Sequence, residues 1–215
     1  MNETDQEQIE SLKQFWAKWG TAVVAIVVLL AVLMIGTNVW DDTVRKNKET
    51  ISDEYQLVVQ LLSENAELDA QQIVTLTELS NGLKHKYSDS VYTAMASFNV
   101  AQQLIKVGEL DKALAEYEFV IANANDIHSV EIALERKAKI LLEKGEFDSA
   151  FSAITSIEAT SMMFQFLGTQ GDILVAQNKI DAAKVAYESA IVLGNEKNLP
   201  VDSLKLKLND LSVTQ

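Results

Sequence analysis

The sequence predicts an all-α protein: one membrane-spanning helix, then a stack of antiparallel helical pairs. Three observations carry this. Gly20–Val39 is a run of 20 residues without a charge. The hexapeptide Gly108-Glu109-Leu110-Asp111-Lys112-Ala113 returns as Gly145-Glu146-Phe147-Asp148-Ser149-Ala150 and as Asn178-Lys179-Ile180-Asp181-Ala182-Ala183, at spacings of 37 and 33 residues. Along most of the remaining chain, apolar residues recur at three- and four-residue steps, the period of a helix with one buried side.

Residues 1–19 form a short polar tail. Leu12, Phe15, Trp16 and Trp19 fall at helical spacing with Lys13 and Lys18 between them, the pattern of a helical turn lying in the interface. Residues 20–40 follow as the membrane helix. At about 1.5 Å per residue the uncharged run is about 30 Å long, the thickness of one hydrocarbon core. Trp16, Trp19 and Trp40 bracket it, where indoles favour the membrane–water boundary. A signal peptide has a shorter apolar region and a small-x-small cleavage site; Thr37-Asn38-Val39-Trp40 offers none, so an uncleaved anchor is expected.

Residues 41–90 read as a helical pair beside the membrane. Val44, Ile51, Tyr55, Val58 and Leu62 recur at helical steps until Asn65. Asp69-Ala70-Gln71-Gln72 is a capping-box variant, in which the aspartate caps the helix and glutamine reaches back. Ile73, Leu76, Leu79 and Leu83 then share one side, with Asn81-Gly82 a weak interruption, and Tyr87-Ser88-Asp89-Ser90 forms a loop and cap. Leu199-Pro200 opens a last segment whose Leu204, Leu208 and Leu211 suit a helix; Leu204, Leu206 and Leu208 also suit a strand. The helix is preferred, because a helical stack needs a terminal cap.

Net charge is −13. The tail holds four acids and two lysines, and residues 41–215 hold 27 acids and 16 bases. So acidic a domain repels nucleic acid and anionic lipid. Without cysteine there is neither disulfide nor thiolate chemistry. Basic residues flank both ends of the apolar run, Lys13 and Lys18 before it and Arg45, Lys46 and Lys48 after it. The positive-inside rule therefore leaves the orientation open.

The repeat has a defined anatomy. A small residue and an apolar pair precede each turn: Ala101 with Leu104-Ile105, Ala138 with Leu141-Leu142, Gly171 with Leu174-Val175. Tyr117, Ile154 and Tyr187 stand four residues beyond each alanine that closes the motif. Small residues let two helices approach, and Gly or Asn supplies a left-handed turn position. The motif's aspartate is placed to bond free N–H groups in the first turn of the second helix. A period near 34 with these features resembles the tetratricopeptide repeat. The resemblance covers Val91–Gly194 and implies a right-handed solenoid of three pairs plus a capping helix over residues 91–215. The proline that usually closes each repeat is missing, Pro200 being the chain's only one.

Chemical sites are scarce. His85 and His128 lack a partner motif, no Gly-rich phosphate loop occurs, and no nucleophile is paired with a base. No enzyme activity, cofactor or metal is expected. What remains is a binding surface. In tetratricopeptide stacks the first helix of each pair lines a concave face. That alignment implies Met95, Phe98, Gln102 and Ile105 from the first pair, Ile132, Glu135, Lys139 and Leu142 from the second, and Gln165, Asp172 and Val175 from the third.

An acidic tail, a Trp-bracketed helix entered through Phe15-Trp16, the Ala101…Gly108 and Ala138…Gly145 pairs, and the terminus Lys205–Leu211 together resemble the YfgM-like family of Gram-negative bacteria, the ancillary subunit of the Sec translocon. The resemblance implies a single-pass inner-membrane protein with a cytoplasmic N-terminus and a periplasmic repeat domain. Implied partners are the Sec translocon, a membrane-anchored periplasmic chaperone of the prolyl isomerase class, and unfolded exported proteins. A passive scaffold for envelope-assembly or division proteins is the alternative.

Overall fold

The computed structural model describes residues 49–65, 67–156 and 161–213, together with residues 13, 16–21, 24, 29, 30 and 34. The chain divides into two units, 1–50 and 51–215. In the first, Trp16 and Trp19 are about half exposed, at 51% and 52%. The Lys18 ammonium lies 6.0 Å from the centre of the Trp19 ring. Most of the uncharged run Gly20–Val39 lies outside the described residues. Among the described residues no helix is long and apolar enough to cross a membrane.

Among its described residues the second unit consists of helices joined by short turns and loops, with no strand. Helix α1 covers residues 51–64 of this unit. It is followed by α2 (Ala70–Lys86), α3 (Val91–Lys106), α4 (Leu110–Asn123), α5 (Ile127–Glu143), α6 (Phe147–Thr155), α7 (Met163–Ala176), α8 (Ile180–Glu196) and α9 (Asp202–Val213). Consecutive helices from α2 to α9 pack on each other, and α3 meets α5 and α5 meets α7. That is the neighbour pattern of a stack in which α3–α4, α5–α6 and α7–α8 are successive pairs. Helix α1 packs through Val58, with Tyr55, Leu61 and Leu62, into the core shared by α2 to α5. The terminal segment is the helix α9, which begins two residues after Pro200.

The turns explain why the hexapeptide recurs. Gly108 and Gly145 have φ of 78°, and Asn178 has φ of 59°. At each turn two bonds close the preceding helix. Glu109 N–H donates to Leu104 C=O at 2.9 Å and Gly108 N–H to Ile105 C=O at 3.0 Å. The corresponding pairs are Glu146 to Leu141 with Gly145 to Leu142, and Lys179 to Leu174 with Asn178 to Val175. This is the Schellman closure, in which a left-handed residue lets two end carbonyls find donors. A fourth occurs after α8: Asn198 has φ of 55°, and Leu199 N–H donates to Gly194 C=O at 2.8 Å. Nothing would crowd a Cβ at Gly145, so its cost is backbone conformation alone. Gly145→Ala is expected to destabilise by about 1–2 kcal/mol in urea denaturation, and Asn178→Gly to change stability little.

The motif's aspartates act differently from the expectation. The N-caps of α4, α6 and α8 are Glu109, Glu146 and Lys179, and none makes a side-chain cap bond. Asp111 and Asp148 sit one residue inside the helix and reach the next repeat. Asp111 accepts from Lys144 Nζ at 2.6 Å, and Asp148 from Gln177 Nε2 at 3.0 Å. Lys144 and Gln177 hold the same place, just before the turn residue. The motif therefore joins repeats as well as opening helices. True side-chain caps occur at Asp69, which forms the anticipated box with Gln72, and at Ser90 and Asp126.

The small residues lie where the helices touch. Ala101, Ala138, Ala113, Ala150 and Ala183 are fully buried. At Gly171 a Cβ would fall 2.3 Å from Cε1 of Tyr187. Tyr117, Ile154 and Tyr187 are buried, and the two tyrosine rings lie against the first helix of their own pairs, at Phe98 and Gly171. The core runs as overlapping clusters along the stack, centred on α1–α5, then α5–α7, then α7–α9.

Candidate functional site

The first helices of the pairs, α3, α5 and α7, carry all eleven candidate positions. They do not form one uniform surface. On α3, Met95 is 42% and Ile105 36% exposed, and Gln102 is also exposed. Phe98 is half-buried, its ring centre 6.0 Å from that of Tyr117 at 45°. On α5, Ile132 and Leu142 are half-buried, and Leu142 packs against the second core cluster. On α7, Val175 is half-buried and packs towards α8 and α9. Phe98, Leu142 and Val175 thus belong largely to the packing, whereas Met95, Gln102 and Ile105 face solvent.

Glu135, Lys139, Gln165 and Asp172 come together in one cleft of about 310 Å³. Its remaining wall is the C-terminal segment, through Pro200, Ser203, Leu204 and Lys207. Glu135 is buried. It accepts from Thr169 Oγ1 at 3.1 Å, with Lys139 Nζ at 2.5 Å one turn along its own helix. Asp172 accepts from Tyr187 Oη at 2.6 Å and from Lys207 Nζ at 2.6 and 2.8 Å. Burial first, and then the bond to Asp172, hold the Tyr187 phenol well above its ordinary pKa. The hydroxyl therefore stays protonated and donating. Each carboxylate in the cleft has an ammonium partner, so the site balances its own charge and leaves Gln165 at its mouth as an exposed amide.

Sequence reading missed Thr169 and Lys207. A period of about 34 does point to them: Thr169 lies 34 residues beyond Glu135, and Lys207 lies 35 beyond Asp172. It also missed the company that His128 keeps. Ser161 Oγ donates to Glu131 at 2.7 Å and lies 3.2 Å from His128 Nδ1. The same Nδ1 is 3.4 Å from Glu131. A serine that gives its proton to a carboxylate is not poised to give it to the imidazole, so this geometry is a tie between α5 and the start of α7 rather than a nucleophile relay. Among the described residues no group of three or more His, Asp or Glu could hold a metal ion.

A stack of helical pairs closed by left-handed turns defines a tetratricopeptide-type repeat protein. The chain belongs to the family described as the tetratricopeptide repeat-like domain, whose family model matches residues 13–213. It is 24% identical to the protein named Ancillary SecYEG translocon subunit of Neisseria gonorrhoeae, over 96% of this chain and 97% of that one. The protein of the same name from Escherichia coli is 24% identical over 98% of both chains. That from Haemophilus influenzae is 21% identical over 96% of this chain and 97% of its own. These relatives bear out the YfgM-like resemblance read from the sequence. The solved structure of MamA from residue 41 onwards, of Desulfovibrio magneticus, shares the fold with a TM-score of 0.52 and 13% identity, over 77% of this chain and 96% of that one.

Proposed function

We propose that this protein is a membrane-anchored ancillary subunit of the Sec translocon whose repeat domain, on the periplasmic side, binds newly exported chains. The observation that carries the reading is the extent of the likeness. Relatives named for the translocon match over at least 96% of this chain, so the likeness takes in the uncharged N-terminal run as well as the stack. Residues 20–40 then anchor the protein in the inner membrane, with residues 1–19 in the cytoplasm. A membrane-anchored chaperone of the prolyl isomerase class is the expected companion. On this reading the exposed apolar side chains of α3, Met95 and Ile105, are the contacts offered to a client.

Crosslinking in intact membranes tests the partnership. Adducts with the translocon and with a nascent exported protein are expected. Adducts with one folded envelope protein alone favour the scaffold. Topology is tested separately. A reporter fused after Gln215 is expected to be active only outside the cytoplasm, and N-terminal sequencing to begin at Met1 or Asn2. A cytoplasmic signal overturns the orientation, and a start near Trp40 overturns the anchor.

A further inference from the structure

The face made by the second helices of the pairs carries a groove that the concave reading does not use. It lies between α4 and α6, over α5, with a volume of about 600 Å³. Helix α6, with 9 residues, is its shorter wall, facing the 14 residues of α4. Ser149 and Ser152 of α6 and its C-cap Ser156 line the groove, too small to fill it. Leu114 and Ile121 of α4 form the opposite wall, and Leu134 and Leu141 of α5 lie beneath.

The rim is acidic. Glu118, Glu146 and Asp148 border the groove. Lys137 bonds Glu118, and Lys144 bonds both Glu146 and Asp111. In these pairs the lysine is the more buried partner. Lys137 is 25% exposed against 52% for Glu118, and Lys144 is 26% against 45% and 86% for its two acids. Two largely covered ammonium groups thus pair with three more open carboxylates, and Asp148, which accepts from Gln177, adds a fourth acid. The potential over the groove is negative.

We propose that this groove seats a short basic amphipathic helix of another protein, apolar side down and Lys or Arg against the rim. The run from Asp148 to Ser156 is about 12 Å of helix, which matches two to three turns of an occupant. Charge weighs against the other candidates. A second copy of this chain brings a net −13, and anionic lipid and nucleic acid bring phosphate, all repelled by the rim. The proposal does not rest on the translocon reading or on the concave face.

The test uses the full-length protein in zwitterionic nanodiscs and photo-crosslinking peptides of about 14 residues, roughly four helical turns. One is an amphipathic leucine–lysine helix, one replaces lysine by glutamate, and one scrambles the leucine–lysine order. Adducts of the first on α4 and α6 are expected. Ser152→Trp fills the groove at an exposed position without changing charge, and is expected to cut those adducts at least about tenfold. Glu118→Gln with Glu146→Gln, also exposed, keeps the shape and a hydrogen-bond acceptor while removing two negative charges, and is expected to lower those adducts severalfold, with thermal melts close to that of the parent in both variants. The proposal is overturned by absence of adducts on α4 and α6, by equal yields from the scrambled or glutamate peptide, or by equal yields from the Ser152→Trp protein. If Ser152→Trp melts early, the charge variant alone decides.

Discussion

Gly171→Ala is expected to lower the stability of the repeat domain by about 2 kcal/mol, against its helix propensity. Alanine is favoured over glycine inside a helix by up to about 1 kcal/mol. Overpacking a close contact costs about 1–3 kcal/mol, sometimes more, and here the contact is severe. The new Cβ would lie 2.3, 2.5 and 2.8 Å from three atoms of the Tyr187 ring. That ring is 2% exposed, so it has no free space to swing into. Its hydroxyl is tied to Asp172, which also receives Lys207 of α9. Displacing the ring therefore loosens the α7–α8 contact and the seat of the terminal helix together. For a domain of this size a melting temperature lower by about 4–8 °C follows. Gly82→Ala is the control. Nothing lies within 4 Å of a Cβ at Gly82, so propensity acts unopposed and a gain of about 0.5–1 kcal/mol is expected. Thermal melts of both variants decide the matter. A rise at both positions shows that α7 and α8 do not meet at Gly171.

The parts of the fold that could be read in the sequence are those where physical chemistry leaves few residues to choose from. A left-handed turn position admits Gly or Asn, so Gly108, Gly145 and Asn178 announced three turns. A close helix approach admits only Gly or Ala, so Ala101, Ala138 and Gly171 announced three contacts. Asn198 makes a fourth turn of the same geometry but was not legible, because no Asp-x-Ala follows it and α9 opens differently. The role of Asp111 and Asp148 was misread for a related reason. An aspartate near a helix start suits both a cap and an exposed ion pair, and the choice depends on where residues about 30 positions later fall. The same limit hid the polar cleft. Glu135 and Asp172 were placed correctly on their helices, but their partners Thr169 and Lys207 arrive only when the repeats stack. Side-chain bonds that reach about one period along the chain, Glu54 to Lys86 and Asp111 to Lys144 among them, are the signature of a structure in which each repeat recognises its neighbour. Orientation in a membrane is a separate matter: it depends on basic residues that here flank both ends of the apolar run.

The proposed client binding is separated from packing by substitutions at Met95 and Ile105, with Phe98 as the contrast. Met95→Ser with Ile105→Ser removes apolar area that is still about two-fifths open to solvent. Full burial of such a side chain is worth about 1.5–3 kcal/mol; the open fraction leaves about 1 kcal/mol each for a bound chain. Losing both is expected to weaken capture of an unfolded export substrate by roughly thirtyfold, with an unchanged thermal melt. Phe98→Ser is expected to behave in the opposite way. Its ring packs on Tyr117 within the core of α1 to α5. Removing it opens a cavity, and truncation of a phenylalanine in a core costs about 3–5 kcal/mol, less here because part of the ring is already exposed. The melt should fall by several degrees whether or not a client is present. Client crosslinking and circular dichroism on the same preparations give the answer. Full crosslinking by the Met95/Ile105 variant, with an intact fold, removes α3 from the binding surface and leaves the polar cleft beside α9 as the place where a client must be sought. Lost crosslinking with an intact fold makes the exposed side of α3 the surface that chains emerging from the translocon meet.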